Sequence, residues 1–237
     1  MSQTVPSPHG LPFPVQPRLP GDPEPDLELY RLTHRAIVRE AGELATLGRR
    51  LAKDDSPFTA RQARTLRTFA RVFVDDLHRH HRAEDELGWP LISACAPDCP
   101  DLTPLTRDHA DAAPVIDRLW ATVRHLVADP ASTAARTDLA SVAQTLRDML
   151  ERHIAAEERI VFPMILAHMS AGDFTRWDKL ADRDLPMRDL WVLIPSTARS
   201  ADPADIDRVT AKAPWLFRLA LRLCSGYYDR KHRLVFG

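Results

Sequence analysis

Two histidine–glutamate pairs occur in near-identical phrases of this 237-residue chain. In His80-x-x-x-Glu84 and in His153-x-x-x-Glu157 the glutamate follows the histidine by four positions, and a proline follows the histidine by ten. Residues four apart on an α-helix lie on one face, so each pair directs an imidazole and a carboxylate to the same side. Helical bundles build metal sites from such side chains, and two pairs that face each other would form a two-metal site.

A further histidine precedes each pair at a similar distance. His34 lies 46 residues before His80, and His109 lies 44 residues before His153. The chain therefore reads His, then His-x-x-x-Glu, twice over. The candidate metal ligands all fall on the apolar faces of predicted helices: His34, His80, Glu84, His109, His153 and Glu157. Burying carboxylates without partners is costly, and a bound cation explains the pattern better than a seam of internal salt bridges does.

Four segments with helical periodicity carry these residues, at 27–51, 66–91, 102–126 and 139–164. Their apolar positions alternate in steps of three and four, which is the seam pattern of a helix bundle. Strand signals are absent from the four segments, and the links between them are short, which favours antiparallel neighbours. The sequence predicts an all-α fold built on an up-down-up-down four-helix bundle.

Proline content and length divide the chain into three parts. Residues 1–25 hold eight prolines, so we expect an extended Pro-rich N-terminal arm there rather than a helix. Residues 26–169 form the predicted bundle. Residues 170–237 are expected to be a helical C-terminal extension packed on the bundle, because they are too few and too often interrupted by proline for a core of their own. Helical patterns occur within it at 203–211 and 215–228.

The bulk composition limits the partners and the compartment. With 44% hydrophobic residues the chain can bury a core, and its net charge of −1 gives no sign of a nucleic-acid or anionic-membrane partner. Three cysteines and the lack of a signal-peptide pattern fit a cytoplasmic location. The spacing Cys95-x-x-x-Cys99 is interpreted as two free thiols. The sequence predicts no membrane span, which would need about 20 apolar residues in a row, and it leaves the oligomeric state open.

The pattern resembles the hemerythrin-like (HHE cation-binding) family, in a bacterial form with a C-terminal extension, over about residues 27–168. The matching phrases are Leu32-Thr33-His34, His80-x-x-x-Glu84 with Trp89-Pro90, Arg107-Asp108-His109, and His153-x-x-x-Glu157 with Phe162-Pro163. The resemblance implies a non-haem diiron centre in a four-helix bundle. By position, the first two histidines would serve one iron and the last two the other, while Glu84 and Glu157 would bridge both.

The chain departs at one position from the oxygen-carrying members of that family. Those proteins have a fifth histidine one turn after the third-helix histidine, where this sequence has Ala113. A metal with fewer protein ligands keeps positions open for water, dioxygen or substrate. Reaction at an open position is therefore expected more than stable oxygen carriage. Imidazole and carboxylate also suit manganese or zinc, but the carboxylate-bridged bundle favours two iron ions.

The resemblance thus implies a protein that binds or reacts with dioxygen, nitric oxide or peroxide at a site of four histidines and two glutamates. Two alternatives stay open at this point. One is a diiron oxidase acting on a small-molecule substrate in a biosynthetic pathway, and the other is an iron or oxygen sensor without catalysis. The sequence has no substrate-pocket motif, so it does not decide whether the chain is an enzyme.

Several polar residues near the pattern are expected outside the metal site. His81, Asp85 and Glu158 are predicted to lie on solvated helix faces, with Asp85 or Glu158 as the alternative acceptor that orients a ligand imidazole. Tyr30 is expected to be a core aromatic residue rather than a donor to bound oxygen, and Pro114 is expected to kink or loosen the third helix. Four other histidines lack partners at matched spacing and are expected at the surface: His78, His125, His168 and His232.

Overall fold

The computed structural model describes residues 11–53, 57–202 and 215–237. Two sequence predictions lie wholly or partly outside these ranges, namely the helix at 203–211 and the first ten residues of the Pro-rich arm. All regular secondary-structure elements of the described ranges are helices, and β-pairing there is limited to one isolated bridge between Pro17 and Met169. The fold is an all-α helical bundle, as the sequence predicts.

The helices follow the predicted order and are named here along the chain. They are α1 Glu28–Lys53, α2 Ala60–Ala83, α3 Trp89–Cys95, α4 Thr103–Ala128, α5 Thr133–His168, α6 Ala171–Ala181, α7 Leu190–Arg199 and α8 Trp215–Phe236. Thr59 caps the start of α2, because its hydroxyl accepts a hydrogen bond from the backbone N–H of Gln62 at 3.2 Å. Both α4 and α5 continue through internal prolines, so Pro114 does not end the helix that it was expected to loosen. No described helix is both long and apolar enough to cross a membrane.

The predicted second helix is interrupted at a point that its periodicity does not indicate. A π-helical turn spans Glu84–Gly88 and separates α2 from α3. Such a turn adds a residue to the helical repeat and is frequent at functional sites. The buried side after Glu84 therefore passes through Gly88 and Leu91, whereas the predicted position Leu87 is only half-buried.

The described chain divides into two compact units. The first unit contains 77–110, 152–185 and the described arm up to Leu27, and the second unit contains 28–76, 111–151 and the described residues from 186 onwards. The division passes through α2, α4 and α5, so each of these helices contributes residues to both units.

The arm is fixed to the first unit by hydrogen bonds to α5 and α6. The guanidinium Nη1 of Arg18 donates to the carbonyl of Leu166 at 2.8 Å, and its backbone N–H donates to the carbonyl of His168 at 2.9 Å. These carbonyls lie in the last turn of α5, where backbone acceptors have no partner within the helix. The backbone N–H of Gln16 donates to the buried carboxylate of Asp173 at 2.7 Å. The arm therefore caps one helix and satisfies a buried charge on the next.

Helix α6 packs directly on the π-helical turn of the first unit. A Cβ atom built on Gly88 would lie 2.5 Å from Cζ2 of the Trp177 indole, closer than two carbon atoms can approach. Only glycine leaves room for the ring at this point. The contact joins α6 to the last residue of the π-helical turn.

The second unit has its own core, to which the C-terminal helices contribute. Val72 of α2, Val192 of α7 and Tyr228 of α8 form one buried cluster. Asp189, just before α7, accepts hydrogen bonds from Arg71 at 2.5 and 3.2 Å. Helices α7 and α8 therefore pack on α2 through both apolar side chains and a largely buried ion pair.

Candidate metal centre

Five of the six predicted ligands come together in the first unit. They lie at the end of α2 and the start of the π-helical turn, on α4 and on α5: His80, Glu84, His109, His153 and Glu157. Their side chains are between 0% and 14% exposed. The helical spacing recognised in the sequence is therefore sufficient to bury these three imidazoles and two carboxylates in one place.

Glu84 lies between histidines of two different helices. Its Oε1 is 3.0 Å from Nε2 of His80, four residues earlier, and its Oε2 is 3.4 Å from Nε2 of His109 on α4. One oxygen thus faces each imidazole. A carboxylate in this position can share its two oxygens between two cations.

Glu157 occupies the equivalent place on α5. It is fully buried, and its Oε2 lies 3.4 Å from Nε2 of His153. The potential ligand atoms of His80, Glu84 and Glu157 all lie within 4.8 Å of one another. Like Glu84, Glu157 therefore lies close to one histidine of α2 and to one histidine of another helix, here His80 and His153.

His81 joins the cluster, contrary to the prediction that it lies on a solvated face. It is only 6% exposed, and its potential ligand atom lies within 4.8 Å of those of His109 and His153. Nε2 of His109 and Nε2 of His153 are themselves 2.9 Å apart. A signal for His81 was present in the sequence, since Leu77, His80, His81 and Glu84 follow the i, i+3, i+4, i+7 spacing of a buried helix face.

The environment of the imidazoles changes their proton affinity in opposite directions. Burial lowers the pKa of His81, and the neighbouring His109, His80 and His153 lower it further. Burial also lowers the pKa of His153, but the carboxylates of Glu157, Glu84 and Asp108 together outweigh burial, so the net shift is upward. His81 is therefore held as a neutral imidazole, the form that binds metals.

Acidic residues contact the outer nitrogens of two of these imidazoles. Oδ2 of Asp85 lies 3.0 Å from Nδ1 of His109, and Oδ1 of Asp85 accepts a hydrogen bond of 2.7 Å from the hydroxyl of Thr106. Oδ2 of Asp108 lies 3.5 Å from Nδ1 of His153. A carboxylate on Nδ1 orients the ring and presents Nε2 to a metal. Asp85 therefore lies beside the imidazole of His109, where its alternative interpretation places it, although its side chain is still 28% exposed and Nδ1 of His109 makes no hydrogen bond within the described ranges.

An indole borders the cluster on the side of the π-helical turn. Trp89 is 5% exposed, and its ring lies 6.1 Å from that of His109 at an interplanar angle of 19°. Its Nε1 is buried and makes no hydrogen bond within the described part of the chain. The indole thus contributes an apolar wall that keeps water away from His109.

The sixth predicted ligand, His34, belongs to the second unit. It is 1% exposed on α1, and its ring lies 4.8 Å from that of Tyr30, one turn earlier. Tyr30 is half-buried, in agreement with its interpretation as a core aromatic residue.

The other histidines and the cysteines of the described ranges lie outside the cluster. His125 is exposed as predicted, and His78 and His168 are half-buried. The surface prediction for His232 is wrong, because it is 5% exposed with Nε2 lying 2.9 Å from Oε2 of Glu43 on α1. That contact joins positions 189 residues apart, which no local spacing could indicate. The thiols of Cys95 and Cys99 are free, as predicted.

Comparison with known protein families matches residues 26–180 to the hemerythrin HHE cation binding domain. The chain belongs to this family. The hemerythrin domain here runs from just before α1 to Leu180 in α6, so it includes every histidine and glutamate of the cluster as well as His34. No curated protein and no solved structure matches the chain.

The donor set agrees with the cation binding for which the hemerythrin family is named. The first unit offers four imidazoles and two carboxylates, and its two compact donor groups share no residue: His80, Glu84 and Glu157 in one, His81, His109 and His153 in the other. Nitrogen and oxygen donors of this kind suit iron and other divalent transition metals. Burying so many ionisable groups together is costly without a cation, and the cluster is therefore a fitting metal site.

Proposed function

We propose that this chain is a non-haem diiron protein that binds or reacts with dioxygen, nitric oxide or peroxide in the core of its helical bundle. The observation that carries the proposal is the position of Glu84, with one carboxylate oxygen toward His80 and the other toward His109. A carboxylate between two groups of imidazoles is the arrangement that carboxylate-bridged dimetal sites require.

The proposed ligands divide between two metal positions. His81, His109 and His153 would bind one iron, and His80 would bind the other. Glu84 and Glu157 would bridge both. The burial of both carboxylates, at 2% and 0% exposure, supports this role because a buried carboxylate needs a positive partner.

We propose His34 as the second histidine of the His80 position. The support is the internal repeat, in which His34 stands to His80 as His109 stands to His153. Its burial at 1% on α1 also argues against a solvated role. The six ligands proposed from the sequence are thus retained.

The alanine at position 113 was the reason to expect reaction rather than stable oxygen carriage. His81 removes that reason, because it restores the number of histidines to five. With His81 as a fifth histidine, one metal position has three imidazoles and the other has two. The position with fewer protein ligands is the one that keeps coordination open for a small molecule. Ferrous iron bound there would supply the open coordination and the electrons that dioxygen, nitric oxide or peroxide needs.

The protein's own part in this function is to hold and shield the site. Asp85 and Thr106 orient His109, while Trp89 covers the same imidazole with apolar surface. Burial keeps His81 neutral and ready to bind. Excluding water also strengthens the electrostatic interactions between the carboxylates and a bound cation.

Anaerobic loading with ferrous iron, followed by exposure to air, tests the proposal. We expect two irons per chain and a new visible absorption band on oxidation. A stable and reversible band indicates carriage or sensing, whereas decay with turnover of peroxide or of an added organic co-substrate indicates an enzyme. A folded chain, judged by its helical circular dichroism, that takes up no iron contradicts the proposal.

A further inference from the structure

A pocket of about 520 Å³ lies in the second unit and shares no residue with the candidate metal centre. Helices α1, α5 and α8 form its walls. Its charged lining comprises three arginines, two glutamates and one histidine: Arg39, Arg50, Arg147, Glu43, Glu151 and His232. Its size is that of a small-molecule site.

Two of the three arginines use both terminal nitrogens in hydrogen bonds to the protein. Arg39 donates to Glu43 at 2.6 Å and to Ser196 at 2.6 Å. Arg50 donates to the carbonyl groups of the last two residues of α8 at 2.8 and 3.0 Å. These two guanidinium groups hold α7 and α8 against α1.

Arg147 differs from the other two because part of its guanidinium is unused. Its Nε donates to Oε1 of Glu151 at 2.7 Å, one turn later on α5. Its two terminal nitrogens meet no further acceptor within 11–53, 57–202 and 215–237. The side chain is 35% exposed, so the pair of terminal N–H groups is accessible from the pocket. Such a fork binds a carboxylate through two parallel hydrogen bonds.

The charge of the pocket lining favours a ligand that carries a single negative charge. Three arginines against two glutamates leave one net positive charge among the guanidinium and carboxylate groups of the lining. A monoanion neutralises this charge, whereas a dianion such as phosphate would leave an uncompensated negative charge beside Glu43 and Glu151.

Apolar side chains line another part of the pocket, which has room beside Arg147. Val38, Leu47 and Phe236 line it with hydrocarbon surface. Gly42 opens the wall of α1, because a Cβ atom there would meet only Nε of Arg147, at 4.0 Å. An apolar body can therefore lie on α1 while its anionic end reaches α5.

We infer that this pocket binds a small monocarboxylate with an apolar body, and that the terminal nitrogens of Arg147 hold its carboxylate. The inference does not depend on the metal centre, since none of the lining residues belongs to it. It assigns to the second unit a binding site in addition to the cation site of the first unit.

Isothermal titration of the metal-loaded protein with hexanoate tests the inference. We expect saturable binding of one hexanoate per chain, and binding of hexan-1-ol, which lacks the charge, at least tenfold weaker. Arg147→Gln should weaken hexanoate binding at least tenfold. The matched control is Arg118→Gln, which removes an exposed arginine that pairs with Asp138 outside the pocket and should leave binding unchanged.

A steric variant provides a second measurement. Gly42→Leu should fill the space beside Arg147 and abolish hexanoate binding, while Gly42→Ala, whose added methyl group makes only ordinary contact, should retain it. The inference is overturned if hexanoate does not bind the wild-type protein saturably, or if phosphate binds more tightly than hexanoate. It is also overturned if Arg147→Gln, with unchanged helical circular dichroism, binds hexanoate as well as the wild-type protein does.

Discussion

The imidazole rings of His81 and His109 lie parallel, with centroids 4.1 Å apart and an interplanar angle of 10°. The two residues come from α2 and α4, so the contact joins helices as well as rings. Two protonated rings at this distance would repel each other, and burial lowers the pKa of His81. The stack therefore presents His81 to the metal centre as a neutral donor.

His81 should be required for full metal loading. We expect His81→Ala to reduce bound iron from two per chain toward one, because it removes one of three imidazoles from a proposed metal position. Iron content after desalting measures the effect. His125→Ala, which removes an exposed histidine, is the control and should keep both irons. Retention of two irons by His81→Ala would contradict the proposed role.

Asp85 should tune metal affinity without binding the metal. Asp85→Asn replaces the charged acceptor beside Nδ1 of His109 by an amide, and the loss of such a partner typically lowers metal affinity by about 10- to 100-fold. Competition for iron with a chelator measures this change. Glu86→Gln alters an exposed acid of the same π-helical turn and should have no effect. Equal affinities for the two variants would exclude the orienting role.

Two glycines of α1 should respond to alanine in opposite ways. A Cβ at Gly42 fits, so Gly42→Ala should stabilise the fold by about 0.5–1 kcal/mol through lower entropy of the unfolded chain. A Cβ at Gly48 would lie 2.7 Å from the backbone of Ala140, so Gly48→Ala should destabilise it by roughly 1–3 kcal/mol. Urea denaturation measures both. Changes of the same sign would contradict the helix packing described here.

The stability of the fold should depend on the ionisation of Glu40. Burial raises the pKa of this carboxyl from 4.5 to about 7, although the hydroxyl of Ser196 and the guanidinium of Arg39 lower it. Between these two pH values the folded chain holds a proton that the unfolded chain has released. The stability contribution of Glu40 therefore falls as the pH rises from 4.5 to about 7, by up to about 3 kcal/mol.

Glu40→Gln tests this dependence because glutamine does not titrate. We expect the variant to gain stability relative to the wild-type protein as the pH rises from about 5 to about 8. Denaturation midpoints at each pH give the difference. Asp138→Asn, which changes an acid with a 55% exposed side chain, should show no such trend. A difference between Glu40→Gln and wild type that does not vary with pH would refute the effect.

The sequence was sufficient to predict what depends on local helical spacing. Glu84 and Glu157 follow their histidines by one turn, and the amphipathic pattern alone buries them. His81 also followed that rule, but its neighbour His80 already filled the expected ligand position. The burial of His81 depends on the imidazoles of His109 on α4 and His153 on α5, which cover it and which only the folded structure brings there.

Features that depend on distant contacts could not be predicted. Position 88 requires glycine because the indole of Trp177, 89 residues later, occupies the space that a side chain would need. Likewise, His232 is buried because it meets Glu43, and nothing in the sequence around either residue indicates the pairing. The π-helical turn was not predicted either, because the residues that form it have the pattern of an ordinary α-helix.

The contacts of Arg18 and Gln16 bear on where this domain can be cut. A polypeptide limited to 26–180, the span of the family match, would lose both residues. The last-turn carbonyls of α5 would lose their arginine donor, and the buried Asp173 would lose the backbone N–H at 2.7 Å. An unsatisfied buried acceptor costs about 1–3 kcal/mol. The family match therefore leaves out residues that bind to the domain, and we expect a polypeptide that includes the arm to be more stable than one limited to 26–180.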